Sequence, residues 1–82
     1  MKHLVELSGV IRDSAEGLAS VEVEAETVRQ LFDYMLERFP DLNDHMEEGI
    51  AVSINGEIFR DAWVRSLPEG AEIVLLPRIA GG

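Results

Sequence analysis

Val28, Leu31, Phe32, Met35, Leu36 and Phe39 fall at i, i+3, i+4, i+7, i+8 and i+11, one unbroken apolar stripe along a single helix. Arg29, Gln30, Asp33, Glu37 and Arg38 cover its other side and can form weak surface pairs. Thr27 stands where an N-cap hydroxyl is wanted. Pro40 ends the run, because the residue before a proline avoids the helical region. The rod is about 18 Å long, and its stripe has to be covered by something. In a chain of 82 residues that means one small sheet sharing one core.

The flanking segments supply that sheet. Residues 2–8 read as a strand with Val5 and Leu7 on one face and Glu6 and Ser8 on the other, while Leu4 interrupts the polar side. Residues 18–25 alternate cleanly, Val21, Val23 and Ala25 against Ser20, Glu22 and Glu24. The interval from Gly9 to Gly17 reads as a turn-rich loop joining these two strands in a hairpin. After the helix, Asp41 to Gly49 reads as a polar connection with room for one helical turn through Leu42 and Met46.

Ile50, Val52 and Ile54 mark a third strand. Asn55-Gly56, the preferred pair for a type I′ turn, leads into a short return strand at 57–59. Leu67-Pro68-Glu69-Gly70 is a further turn. Residues 72–77 are the last strand, apolar on both faces and so suited to the middle of a sheet. If Ile73 and Leu75 face the helix, Val74 and Leu76 project from the opposite side. The order β-β-α-β-β-β predicts an α+β roll with one main amphipathic helix and a mixed sheet. The first and last strands should be parallel neighbours at its centre. That arrangement is the β-grasp, or ubiquitin-like, fold. A single domain over 1–82 is expected, with a flexible C-terminal tail at 78–82.

Composition excludes several kinds of chemistry. There is no cysteine, so no disulfide, thiolate metal site or thiol nucleophile. Sixteen acidic residues against seven basic ones leave a net charge of −9, which disfavours nucleic acid and anionic membrane as partners. No apolar run approaches a membrane span and no leader pattern opens the chain, so a cytoplasmic protein is expected. His3 and His45 have no metal-ligand spacing and read as surface residues. Asp41, Asp44, Glu47 and Glu48 lack the glycine-centred spacing of a calcium loop. Ser8, Ser14, Ser20, Ser53 and Ser66 show no histidine partner or nucleophile-elbow setting. No metal or bound cofactor is expected, and no self-contained active site.

The end of the chain stands apart. It reads Pro77-Arg78-Ile79-Ala80-Gly81-Gly82, and a terminal glycine pair is expected by chance in roughly 0.5% of chains at a glycine frequency of about 7%. It follows directly on the last strand of the roll.

On these residues the chain resembles the MoaD/ThiS sulfur carriers, and within them the MoaD side, the small subunits of molybdopterin synthase. Gly70-Ala71-Glu72, the apolar strand through Pro77 and the final Gly81-Gly82 are similar to the family's C-terminal pattern. Val52-Ser53-Ile54-Asn55-Gly56-Glu57 is similar to its valine-x-valine-asparagine hairpin, and Ile11-Arg12-Asp13 more weakly to a Leu-Arg-Glu after the first strand. Arg78 stands where a second proline is common, and Leu75-Leu76 replaces a frequent Phe-Phe.

The resemblance implies a carrier rather than a complete enzyme. Its Gly82 carboxylate would be adenylated by an ATP-using, E1-like enzyme of the MoeB/ThiF kind, then converted to a thiocarboxylate. That sulfur would pass to a pterin precursor on a MoaE-like large subunit of molybdopterin synthase. Gly81 and Gly82 would carry the chemistry. Leu4, Val74, Leu76, Pro77, Arg78, Ile79 and Ala80 would contact partners. Three alternatives follow the same pattern: a carrier for thiamine thiazole or tRNA thiolation, a protein modifier conjugated through Gly82, or a β-grasp interaction module with an incidental glycine pair.

Overall fold

The computed structural model describes residues 2–60 and 63–77. In chain order the elements are β1 (Lys2–Leu7), α1 (Gly9–Ser14), β2 (Ser20–Glu24), α2 (Val28–Arg38), a 3₁₀ turn (Pro40–Leu42), α3 (Asn43–Glu48), β3 (Ile50–Ile54), β4 (Glu57–Phe59) and β5 (Ile73–Pro77). The five strands form one sheet in the order β2-β1-β5-β3-β4. β1 and β5 are parallel, with Val5 opposite Ile73 and Leu7 opposite Leu75, and all other pairs are antiparallel. This is the expected α+β roll: a mixed sheet of β-grasp type, with β5 in the centre.

α2 begins and ends where local chemistry requires. The Gln30 amide donates to Thr27 Oγ1 at 3.2 Å, and Gln30 Oε1 accepts from the Glu26 amide at 2.8 Å. Phe39, before Pro40, has left the helical region with φ −128° and ψ 80°. Two further amides of the first turn find acceptors in a segment whose sequence offers no element: Val28 donates to Arg65 O and Arg29 to Trp63 O. Trp63 meets Phe32 edge-on, with ring centroids 4.9 Å apart. This segment therefore clamps the helix N-terminus from outside the sheet.

The core lies between α2 and one face of the sheet. Val28, Leu31, Phe32 and Met35 pack on Val5, Leu7, Val21, Val23, Val52, Ile54, Ile73 and Leu75, with Ile11, Phe39, Leu42 and Leu67 closing the ends. The turn at Asn55-Gly56 has the expected pair of positive φ angles, 53° and 85°. Asn55 also ties that turn to the start of β5. Its amide donates to Glu72 O at 2.8 Å, and its Oδ1 accepts from the Glu72 amide at 2.9 Å.

Three expectations about the connecting segments and the core need correction. The loop at 9–17 contains the helix α1, which buries Ile11 against the core. With six residues and a glycine at its start it has too little periodicity to be read locally, and it is stabilised by packing rather than propensity. The 41–49 connection holds the 3₁₀ turn and α3, which is more helix than a single turn. His3 is not a surface residue. It shares the inward parity of Val5 and Leu7, is only 3% exposed, and neither ring nitrogen has a hydrogen-bond partner among the described residues.

An orphaned buried imidazole costs about 1–3 kcal/mol. Replacing it with an apolar side chain of similar volume, His3→Leu, is expected to stabilise the domain by about 1 kcal/mol. The corresponding rise in Tm is about 4–8 °C by thermal denaturation. An unchanged or lower Tm would show that the imidazole contributes packing that leucine cannot replace.

Candidate functional site: the free sheet face and the root of the C-terminal strand

α2 covers one face of the sheet, so the alternate residues of each strand are left on the other. The registers put them in rows. Val74 of β5 stands between Glu6 of β1 and Ser53 of β3, and Ser53 is beside Ile58 of β4. The next row pairs Leu76 with Ala51. Val74 and Leu76 are half-buried, Ala51 is buried and Ile58 is 59% exposed. Together they form an apolar strip across β5, β3 and β4.

The opposite flank is acidic. Glu6 lies beside Val74, Glu22 is paired with Leu4 across β1 and β2, and Glu72 precedes β5. Lys2 and Glu22 approach to 3.5 Å, but both are well exposed, so this ion pair adds little. Leu4 is 60% exposed and belongs to this face. In the parallel register of β1 and β5 it lies one row away from Val74, so it is diagonal to the strip. Ala51 and Ile58 were not singled out in the sequence. Strand parity carried the signal, but only the pairing of β3 with β5 places them beside Leu76 and Val74.

The strip leads to the end of β5, where several contacts hold the strand. β3 pairs with it through to Pro77, opposite Ile50. On the other side the ladder to β1 stops at Leu7 and Leu75. There the Ser8 hydroxyl donates to the Leu75 carbonyl at 3.1 Å. Gly9, at φ +57°, faces the Pro77 ring: a methyl group built on it would lie 3.6 Å from Pro77 Cγ. Proline suits this position, since it cannot donate to a ladder that has already ended. Arg78, Ile79, Ala80, Gly81 and Gly82 lie outside the described residues, as does the expected flexible tail.

Other candidate chemistry does not assemble into a site. Ser14 does have a histidine partner, contrary to the sequence reading, with Oγ 3.0 Å from His45 Nε2. The pair joins α1 to α3 across a gap of 31 residues that no local motif could reveal. It acts as a clasp between two short helices. Asp41, Asp44, Glu47 and Glu48 are all exposed, and no metal-binding group occurs among the described residues. None of the described helices is long and apolar enough to cross a membrane.

The fold matches solved structures over nearly the whole chain. SAMP1 from Haloferax volcanii is 25% identical, with 100% of both chains covered and a TM-score of 0.73. A chain of the Amycolatopsis orientalis BexX/CysO complex is 24% identical, covering 96% of this chain and 98% of that one, with a TM-score of 0.73. A chain from the complex of subunits 1 and 2 of molybdopterin-converting factor from Helicobacter pylori is 23% identical over 100% of both, with a TM-score of 0.71. No curated protein sequence matches the chain. The ThiS family model matches residues 5–82, from β1 through the glycine pair. With that coverage, and with the roll and central β5 in place, the chain belongs to the ThiS family, within the MoaD/ThiS group of ubiquitin-like sulfur carriers.

Proposed function

We propose that this chain carries sulfur on the main-chain carboxyl of Gly82 and donates it in molybdopterin synthesis, as the small subunit of molybdopterin synthase. The observation that supports this most directly is the family match running through Gly81 and Gly82, directly beyond the held end of β5. The similarity to the Helicobacter pylori complex of subunits 1 and 2 favours the molybdopterin branch and a large-subunit partner.

The chemistry follows from the weakness of a carboxylate as an electrophile. A Gly82 carboxylate oxygen attacks the α-phosphate of ATP on an adenylating enzyme, forming an acyl-adenylate and releasing pyrophosphate. The outer sulfur of an enzyme persulfide then attacks the acyl carbon and expels AMP. A thiol cleaves the resulting sulfur–sulfur bond, leaving the thiocarboxylate on Gly82 and a disulfide on the enzyme. ATP is thus the activating enzyme's cosubstrate and not a resident of this chain. Because the chain has no cysteine, no internal thiol can intercept the acyl-adenylate. The same reading puts the protein in the cytoplasm, where ATP and reducing thiols are available.

In this reading the apolar strip of Val74, Leu76, Ala51 and Ile58 is the docking face, and residues 77–82 are the part that enters the partner. The second reading is a protein modifier, favoured by the likeness to SAMP1 from Haloferax volcanii. It begins with the same acyl-adenylate but ends in an amide to a lysine. Intact-mass measurement of protein from its native host separates the two. The carrier is expected as a species heavier by the difference between sulfur and oxygen, and alkylation should consume it. A population consisting only of carboxylate and much larger lysine conjugates would overturn the carrier reading.

A further inference from the structure

A serine at a helix N-cap normally turns its oxygen toward the free amides of the first turn. Ser8 occupies that position at α1, in extended conformation with φ −125° and ψ 156°, yet makes no side-chain capping bond. Its hydroxyl donates instead to the Leu75 carbonyl, 67 residues away. The local preference has been overridden in favour of the last strand. The next residue, Gly9, has φ +57° and presents a bare Cα to the Pro77 ring. A side chain here would be strained by the backbone, while a methyl group would meet the ring at an ordinary contact distance of 3.6 Å. The two contacts lie on either side of Leu76, where β1 has turned away and only β3 still pairs with β5.

From these contacts we infer that Ser8 and Gly9 are positioning residues: a seat that fixes the direction in which the chain leaves the fold at Pro77, and so aims Gly82. The inference rests on the proposed role of Gly82. Residues 78–82 can span at most about 17 Å when extended. So short a tail ties the position of Gly82 to the point at which β5 ends. Misplacement of 1 Å can cost about 100-fold in rate. Ser8 shares the parity of Glu6 on the helix-free face, but it is a small polar residue outside the apolar strip of Val74, Leu76, Ala51 and Ile58, so its loss should show in turnover and not in affinity.

The test compares Ser8→Ala, Ser8→Thr and the parent chain in ATP–pyrophosphate exchange with the adenylating enzyme of the same host. Ser8→Ala should lower kcat by about 5–10-fold with KM for the carrier within about twofold, and Ser8→Thr, which keeps the hydroxyl, should restore it. Residual dipolar couplings of the Leu76 amide and of the amides after Pro77 should change in Ser8→Ala and return in Ser8→Thr. A parent chain that supports no exchange would overturn the carrier reading, and the couplings would then judge the seat alone. Exchange in which Ser8→Ala matches the parent, or in which alanine and threonine behave alike, would overturn the seat. So would a loss that appears in KM, or couplings that do not move.

Discussion

Gly82→Ala is expected to reduce thiocarboxylate formation by on the order of 100-fold while leaving the fold intact. The added methyl is small, but it sits on the carbon next to the reacting carboxyl. Attack on a phosphate tolerates little displacement of the nucleophile, and in the proposed threading a passage that fits a bare main chain would leave no room for Cβ. The domain should not notice the change, because the core residues run from Val5 to Leu75. Electrophoretic separation of the thiocarboxylate after incubation with the adenylating enzyme, ATP and a sulfur donor provides the readout. A circular dichroism melt provides the control. Alanine at full activity would mean that the terminal glycine is not threaded, and the sulfur-carrier reading would lose its main chemical argument.

Leu76→Glu should weaken binding to the adenylating enzyme by about 10–100-fold, as expected when a charge replaces an apolar side chain near the centre of an interface. Leu76 lies beside Ala51 in the strip on the helix-free face, only half-buried in the isolated chain. A glutamate there can stay hydrated until a partner covers it, at which point it must be desolvated without a counter-charge. The free domain should therefore keep its Tm within a few degrees while calorimetric titration shows the affinity loss. Binding equal to that of the parent would move the docking surface elsewhere. A large drop in Tm would show instead that the strip is part of the fold's own packing.

Leu4 makes a useful contrast. It is more exposed than Leu76, yet it is flanked by Glu6 and Glu22 and reaches the strip only on a diagonal. Exposure alone would rank it first among the candidate contacts. The sheet register ranks it below Val74, Leu76 and Ile58.

Much of the architecture was legible because it rests on local physics. A 3.6-residue stripe and a two-residue alternation cannot be satisfied by the same backbone, so α2 and β2 announce themselves. Asn55-Gly56 declares its turn through two positive φ angles that few other pairs accept. The parallel placement of β1 beside β5 followed from a crossover helix and two apolar strands. His3 was misread as a surface residue, although it shares the parity of Val5 and Leu7. Its polar side chain argued for the surface, but the strand geometry prevailed.

What the tertiary structure decided depends on residues far apart in the chain. α1 and α3, six residues each, are below the length at which a helix is stable alone; α1 forms where the core takes up Ile11, and α3 follows the turn whose Leu42 is buried and rests the partly buried Met46 on the core. The acceptors for the first amides of α2 are the backbone carbonyls of Trp63 and Arg65, which any sequence could supply. Ser8 has a local use for its hydroxyl and a distant one, and only the closed sheet brings the Leu75 carbonyl within 3.1 Å. The sequence by itself determined the strands, the main helix and the terminal glycines, since each is set by neighbours a few residues away. The placement of Ala51 and Ile58 beside Leu76 and Val74 and the hold on the end of β5 were decided by the fold, because both depend on the registers of strands distant in the chain, and no local pattern encodes those.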